Sequence, residues 1–471
     1  MLAALASPQT RAHHLLARTG LTGTQALWAL WVLSRAIMLI ATVTGARWCD
    51  PWFYHYAGEL QAGHLPYRDL SVEYPPLAMA LILAPAVLLL PWAAISPRPD
   101  AAFNPPLLHL PAPDPARYAA YGLAFALIML VVDALALVMV IRGARAMLGA
   151  RPAFAAGALY LAVTFIMGGV LQKFDLVVGV LLLYAVVALW RGRPIAPWLA
   201  LGASVLIKGF PLFIAPAFLC FILLRTRGDT LMERWIAARR RLGAGSAVFA
   251  GLIVAPALLI AVWASPQAVW HTVIYHAGRG LEIESVPAGI AIVLSGLLRM
   301  RVVTAFHAQD LSRVVITPLD GVANALAALL GLWLAVAWLW ALANSLRARG
   351  QVAEASSDLA GWLLFSVAAP MLSFMVAFGA LPLHYLLVVA PLGVLLGVSI
   401  GHEYSRWRVS LVSIVVTGAL VIGVWGSLRA LAPWAVSILL LRNGAWVALS
   451  VTCMMGMNHA FRRLVERMPE L

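Results

Sequence analysis

The run APWLALGASVLIKGFPLFIAPAFLCFILLR, residues 196–225, holds one charged side chain, Lys208, between bordering arginines at Arg193 and Arg225. Loops rich in arginine favour the cytoplasmic side of a membrane, so both borders of the run belong on one face. A single helix cannot leave and return, and a full span takes ~20 apolar residues to cross a hydrocarbon core of ~30 Å. The run is therefore expected to form two short helices, near 195–207 and 210–224, meeting at Lys208-Gly209-Phe210-Pro211 with the lysine at the outer tip. An ionisable group inside an apolar run is costly and by default marks a functional site. Lysine brings a compact charge suited to a phosphate, although a stem that snorkels to the interface also accounts for it.

The same reasoning extends along the chain. Hydrophobic residues make up 63% and charged residues 11% of the 471, and mean hydropathy is +0.91, which points to an all-α polytopic membrane protein. Arginines gather at Arg142/Arg145/Arg151, Arg191/Arg193, 225–241, Arg347/Arg349, Arg406/Arg408 and Arg462/Arg463/Arg467. All six clusters share one side if the chain crosses about twelve times, near 25–45, 119–141, 152–171, 174–190, 195–207, 210–224, 244–264, 321–343, 359–379, 384–400, 409–427 and 434–458. Both termini are then cytoplasmic. Two apolar runs, 77–95 and 286–299, are not counted as spans. Counting the first would move Arg142, Arg145 and Arg151 outside, and the second is too short to cross. Both begin near proline, at Pro75-Pro76 and Pro287, and read as re-entrant or juxtamembrane helices covered by protein. The expected organisation is one integral-membrane domain over 1–471, with a cytoplasmic tail at 1–24 and extracytoplasmic loops at 46–118 and 265–320.

The net charge of +14 is carried by these clusters, so orientation explains it without a nucleic-acid partner. The N-terminal tail has no cleavable small-residue site after a short apolar core, and the first helix is expected to be retained in the cell (plasma) membrane. Three cysteines, Cys49, Cys220 and Cys453, support neither a disulfide framework nor a Cys-ligated metal site. A Walker-type glycine loop and a dinucleotide fingerprint are both missing from the sequence, so no cofactor and no metal are expected.

Chemically dense segments all fall on the outer side of this topology. DPWFYHYAGELQAGHLPYRDLSVEYPPL, from Asp50 to Leu77, carries four carboxylates, two histidines and four tyrosines. Asp50 is either a helix-capping acid or a catalytic base, and Tyr54, His55, Arg68, Asp69, Glu73 and Tyr74 are its candidate companions. Aromatics of the loop could instead form an interfacial belt, and Arg68 could pair with Asp69 or Glu73. Of the 33 basic residues only Lys173 and Lys208 are lysine. Lys173 stands beside Asp175, where a local ion pair is the simplest reading. In YHAGRGLEIES, residues 275–285, Arg279 is able to grip a phosphate oxygen, with His276 close by, or to join an exposed cluster with Glu282 and Glu284. His384 opens a late span, where it serves either structure or a polar ring.

The order of these segments resembles the GT-C membrane glycosyltransferases. Asp50 before an aromatic run, then GHLPYRD, VEYPPL, QKFDLVVGVLLLYAVVALWRGR, LGASVLIKGFPLF, HAGRGLEIES and LPLHYLLVVAPL are most similar to glycosyltransferase family 87, which includes polyprenyl-phosphate-mannose-dependent mannosyltransferases. The resemblance covers about residues 46–400. It implies a multi-span fold, a polyprenyl-phosphate sugar as donor, a lipid or glycan acceptor, and inverting transfer at the extracytoplasmic face. It also implies Asp50 as the base and Lys208 and Arg279 near the donor phosphate. Many relatives carry S-P-Q-Y where this chain has Leu381-Pro382-Leu383-His384-Tyr385, which allows a changed sugar or acceptor. Mannose is the expected sugar. A polyprenyl-phosphate arabinose donor, a lipid or solute transporter, and a non-catalytic scaffold are the alternatives.

Overall fold

The computed structural model describes residues 22–45, 48–89, 115–226, 228, 230–277, 302–305, 308–311, 328–329, 331–340, 342–343, 357–377, 385–403 and 433–466. The expected span 409–427 and the run 286–299 lie outside them.

The helices are α1 (Gly23–Thr44), α2 (Pro51–Gln61), α3 (Pro76–Leu89), α4 (Pro115–Met147), α5 (Ala150–Met167), α6 (Asp175–Trp190), α7 (Ala196–Val205), a 3-10 turn (Phe210–Ile214), α8 (Ala215–Arg225), α9 (Leu231–Trp263) and α10 (Pro266–Ala277). A hairpin of β1 (Val302–Ala305) and β2 (Ala308–Leu311) follows, then α11 (Gly331–Trp340), α12 (Ser357–Ala377), α13 (Leu386–Glu403) and α14 (Pro433–Glu466). Among the described residues, Gly23–Thr44, Pro115–Met147, Leu231–Trp263 and Asp358–Met375 are long and apolar enough to cross a membrane. Shorter apolar helices fill much of the remaining bundle. Four helices thus reach spanning length where about twelve spans are expected.

The run at 196–225 is two helices, as its charge pattern requires. The backbone leaves α7 at Leu206, Lys208 N–H donates to Ser204 O at 2.9 Å, and the 3-10 turn leads into α8. Pro76–Leu89 has 14 residues, or about 21 Å of helix, short of a full crossing. Two expectations are corrected. The all-helical reading misses the antiparallel hairpin, in which Val302 pairs with Leu311 and Ala305 with Ala308; β-branched Val302, Val303 and Thr304 suit a pleated strand. The arginine-rich stretch before residue 244 is helix rather than loop. Thr230 caps the Glu233 N–H, and α9 runs unbroken for 33 residues, because Glu, Arg, Ala and Leu are good helix formers whatever their charge.

Helix α6 is apolar all round and is therefore enclosed. It packs against α4, α7 and α13, burying Leu176, Val178, Leu182, Leu183 and Val186 completely. Peripheral α1 and α9 turn Leu33, Ile40, Leu258 and Val262 outward, as lipid-facing helices do. Inside the bundle, α1, α4 and α5 are joined by a polar network. Arg35 Nε and Nη2 donate to the two oxygens of Asp133 at 2.7 and 3.0 Å, while Trp31 Nε1 and the Tyr160 hydroxyl donate to the same carboxylate at 2.6 Å each. Arg35 also donates to Thr164 Oγ1 at 2.5 Å. With side chains 2% and 0% exposed, the pair is stable only because every lobe of charge has a partner.

Gly179 brings α6 and α13 into near contact. A Cβ there would lie 2.7 Å from Val388 O and 2.9 Å from Leu387 O, and backbone carbonyls cannot swing aside. Gly179→Ala should cost about 1–3 kcal/mol and lower the thermal midpoint of the purified protein. Asp133→Ala should cost more, about 3–5 kcal/mol, because it leaves Arg35 buried without its carboxylate. Both are read from thermal unfolding in detergent.

Candidate active site

The chain's two lysines meet two carboxylates across a single aromatic seam. Asp50 is the N-cap of α2, with Oδ1 accepting from Trp52 N–H at 3.1 Å and Pro51 preset for the first helical position. Its Oδ2 accepts from Lys173 Nζ at 2.9 Å. Lys173 therefore does not pair locally with Asp175, as its neighbourhood in sequence suggests. The side chains of residues 173 and 175 point to opposite sides of Phe174, and Asp175 instead takes Lys208 Nζ at 2.5 Å. Burial opposes the charge of Lys173, but the Asp50 carboxylate, then Asp175, outweigh it and hold the ammonium above its ordinary pKa.

These ion pairs differ in access. Lys173 and Asp50 are 25% and 27% exposed, whereas Lys208 and Asp175 are 12% and 2% exposed. Lys208 is pinned further: its ammonium lies 3.6 Å from the centroid of the Tyr385 ring, a cation–π contact. Tyr385 in turn stacks on Phe210, and Phe210 on Phe374. Between the pairs, Phe174 packs on Phe53 and edge-on to Tyr74. The residue two places before Lys208 is tied to the acidic loop, since Leu77 N–H donates to Leu206 O at 3.1 Å.

The remaining candidates line one wall or serve structure. Glu73 is buried and accepts from the Tyr56 hydroxyl. Burial, then the charge of Glu73, pushes the Tyr56 and Tyr74 phenols well above the usual range, so both remain donors rather than bases. Tyr67 donates to Tyr74 O at 2.7 Å. Helix α10 lies against this wall, with Thr272 Oγ1 3.5 Å from Val72 O and Tyr275 buried. Tyr54 sits edge-on between Tyr118 and Tyr121. His55 packs edge-on to Trp52, and Glu59 stands 3.8 Å from its Nδ1 and 2.7 Å from that of His64.

Arg68 and Asp69 pair with each other at 3.0 Å, and hydrogen bonds from Arg68 and then Leu65 N–H hold the Asp69 carboxyl below its usual range. A carboxylate so occupied makes a poor base. Arg68 also lies over the Trp263 ring at 5.8 Å. Beside it an apolar groove of about 400 Å³ is lined by Tyr67, Pro76, Pro256, Leu259, Ile260 and Trp263. Arg279 and His384 fall outside the described residues, and of His276 only the helical backbone is described. Among the described residues no cluster of three metal-ligating side chains occurs.

Sequence reasoning undervalued Asp175 and overlooked Tyr385. The signal for Asp175 was present, because an acid opening an otherwise apolar helix requires a counter-charge. Arg35 and Asp133, single charges in apolar runs, carried the same signal. Nothing in the local pattern marks Tyr385 as the ring facing Lys208.

No family model matches the chain, and no curated protein matches it. Among solved structures it is similar to the crystal structure of ArnT from Cupriavidus metallidurans bound to undecaprenyl phosphate, with 18% sequence identity and a TM-score of 0.43 over 92% of this chain and 76% of that one.

The unequal exposure of the two pairs sets an expectation. Lys208→Met strands the enclosed Asp175 and should cost about 3–5 kcal/mol. Lys173→Met, in a solvent-accessible pair, should change stability by no more than about 1 kcal/mol. Thermal unfolding of the two variants beside wild type measures the difference.

Proposed function

We propose that this chain is an inverting glycosyltransferase of the GT-C type, moving a sugar, mannose, from a polyprenyl-phosphate donor to a lipid or glycan acceptor. The observation that carries the reading is the accessible Asp50–Lys173 pair, backed by the enclosed Asp175–Lys208 pair. A carboxylate and an ammonium side by side are what single-displacement transfer from a lipid phosphate demands. A sugar on a lipid phosphate is already activated, so no nucleotide pocket is required.

Helix direction supports an outward-facing site. Lys173 precedes α6 and Arg191 follows it, while Lys208 follows α7 and Arg193 precedes it. The lysines thus occupy the helix ends opposite the arginines, and arginine-rich ends face the cytoplasm. The apolar groove beside Tyr67 and Pro76 suits a prenyl segment, with its phosphate turned toward the Tyr74 wall.

In this mechanism Asp50 Oδ2 takes the acceptor's hydroxyl proton as that oxygen attacks the anomeric carbon. Oδ1 keeps its bond to Trp52 N–H, so the cap holds the base in register. Lys173 meets the charge that grows on the departing phosphate, and Lys208 acts behind it by fixing Asp175 and the Phe174 seam. Glu73, bonded to Tyr56, is the next candidate for the base, and Arg279 remains a proposed phosphate contact.

Purified protein incubated with polyprenyl-phosphate sugars and a lipid extract should yield a glycosylated product by mass spectrometry, with mannose transferred. Asp50→Asn should reduce transfer by about 10² to 10⁴ or more while the protein still binds donor. Undiminished turnover in that variant would relocate the base.

A further inference from the structure

We propose that Lys173 masks Asp50 in the empty site and is drawn away by the donor phosphate, so that donor binding unmasks the base. The inference rests on the glycosyl-transfer reading above and assigns Lys173 a role in the reaction cycle rather than a fixed structural one.

The geometry points to this in three ways. Both Asp50 oxygens are engaged, Oδ1 by Trp52 N–H at 3.1 Å and Oδ2 by Lys173 Nζ at 2.9 Å. An ammonium on a carboxylate favours its anionic form and weakens it as a proton acceptor, so the atom that must take the proton is occupied at rest. Second, the backbone at Lys173 is anchored while its side chain is not enclosed. Lys173 N–H donates to Gly169 O at 3.1 Å and Gln172 Nε2 to Thr42 Oγ1 at 3.0 Å, yet the side chain is a quarter exposed. A flexible four-carbon stem bearing a point charge with three donors can change partner without backbone motion. Third, Lys208 cannot share the task, because its partner is 2% exposed and its ammonium is capped by Tyr385.

The step balances. The acceptor oxygen bonds to the anomeric carbon, the bond from that carbon to the phosphate oxygen breaks, and its electron pair leaves with the polyprenyl phosphate. The acceptor proton passes to Asp50 Oδ2. A phosphodiester donor becomes a phosphate monoester with more negative charge, so the pull on Lys173 rises as transfer proceeds. Other groups facing Asp50 stay protonated: the Cys49 thiol is pushed up by burial, then by Asp50, and the Tyr74, Tyr118 and Tyr121 phenols surround the pair. Asp175 and Lys208 lie across Phe174 and neutralise each other. Asp50 and Lys173 are the pair left to respond to the donor.

The test is the pH dependence of transfer from polyprenyl-phosphate mannose to the acceptor identified above, at saturating acceptor. The acid limb of kcat/KM for donor reports the free enzyme, and that of kcat reports the complex. In wild type the kcat limb should lie about one pH unit or more above the kcat/KM limb, because the lysine has left the carboxylate only in the complex. Lys173→Met should raise donor KM about tenfold or more and close the gap by raising the free-enzyme limb. Coincident limbs in wild type, which needs no variant to fold, would overturn the switch, as would a gap that survives in Lys173→Met. Full turnover by Asp50→Asn, or no turnover with this donor, would instead overturn the function proposed above and the switch with it.

Discussion

A charge at the end of an apolar helix must find an opposite charge, and much of this bundle is arranged around that requirement. Lys173, Phe174 and Asp175 are consecutive, and the outer two reach in opposite directions for Asp50 and Lys208. Helix α6, enclosed by hydrophobic neighbours, can begin where it does because its first residue is neutralised by a lysine from the break between α7 and the 3-10 turn. Asp50, which starts α2, is fixed to the same point through Lys173. Three separate stretches of chain converge there, and the Leu77–Leu206 backbone bond secures the acidic loop to the lysine-bearing break.

Comparison of the ion pairs sorts their roles. Arg35 and Asp133 are fully enclosed and saturated by Trp31, Tyr160 and Thr164, and a planar guanidinium forking onto a carboxylate is suited to a permanent joint. Asp175 with Lys208 is nearly as enclosed and is clamped by the Tyr385 ring. Asp50 with Lys173 alone combines lysine's mobile charge with access to solvent. The same constraint thus produces a brace in the bundle interior, a brace beneath the site, and an exchangeable pair at its surface.

Much of this was legible locally. Two lysines among many arginines, an ammonium inside an apolar run and an acid after the first span all point toward the site, and each reaches it. The pair Arg68–Asp69 was readable from adjacency. Other features resisted local reading. Lys173 has Asp175 two positions away, yet alternate residues do not face one another, and its partner is Asp50, 123 positions distant. The arginines of 231–241 read as a loop because they mark a membrane face, while their helical propensity carried α9 through them. Glu73 looked equivalent to Asp50 until the fold buried it against Tyr56.

By itself the sequence determined that apolar helices make up the protein, where the chain breaks around Lys208, and which helix ends carry the polar chemistry. Those properties depend on hydropathy and charge order, which accumulate along the chain and can be summed over a window. The tertiary structure alone decided which lysine meets which carboxylate, that Tyr385 covers Lys208, and that one pair stays open while the other closes. Electrostatic compensation falls with distance in space and depends on local burial, and neither quantity exists until the helices have packed.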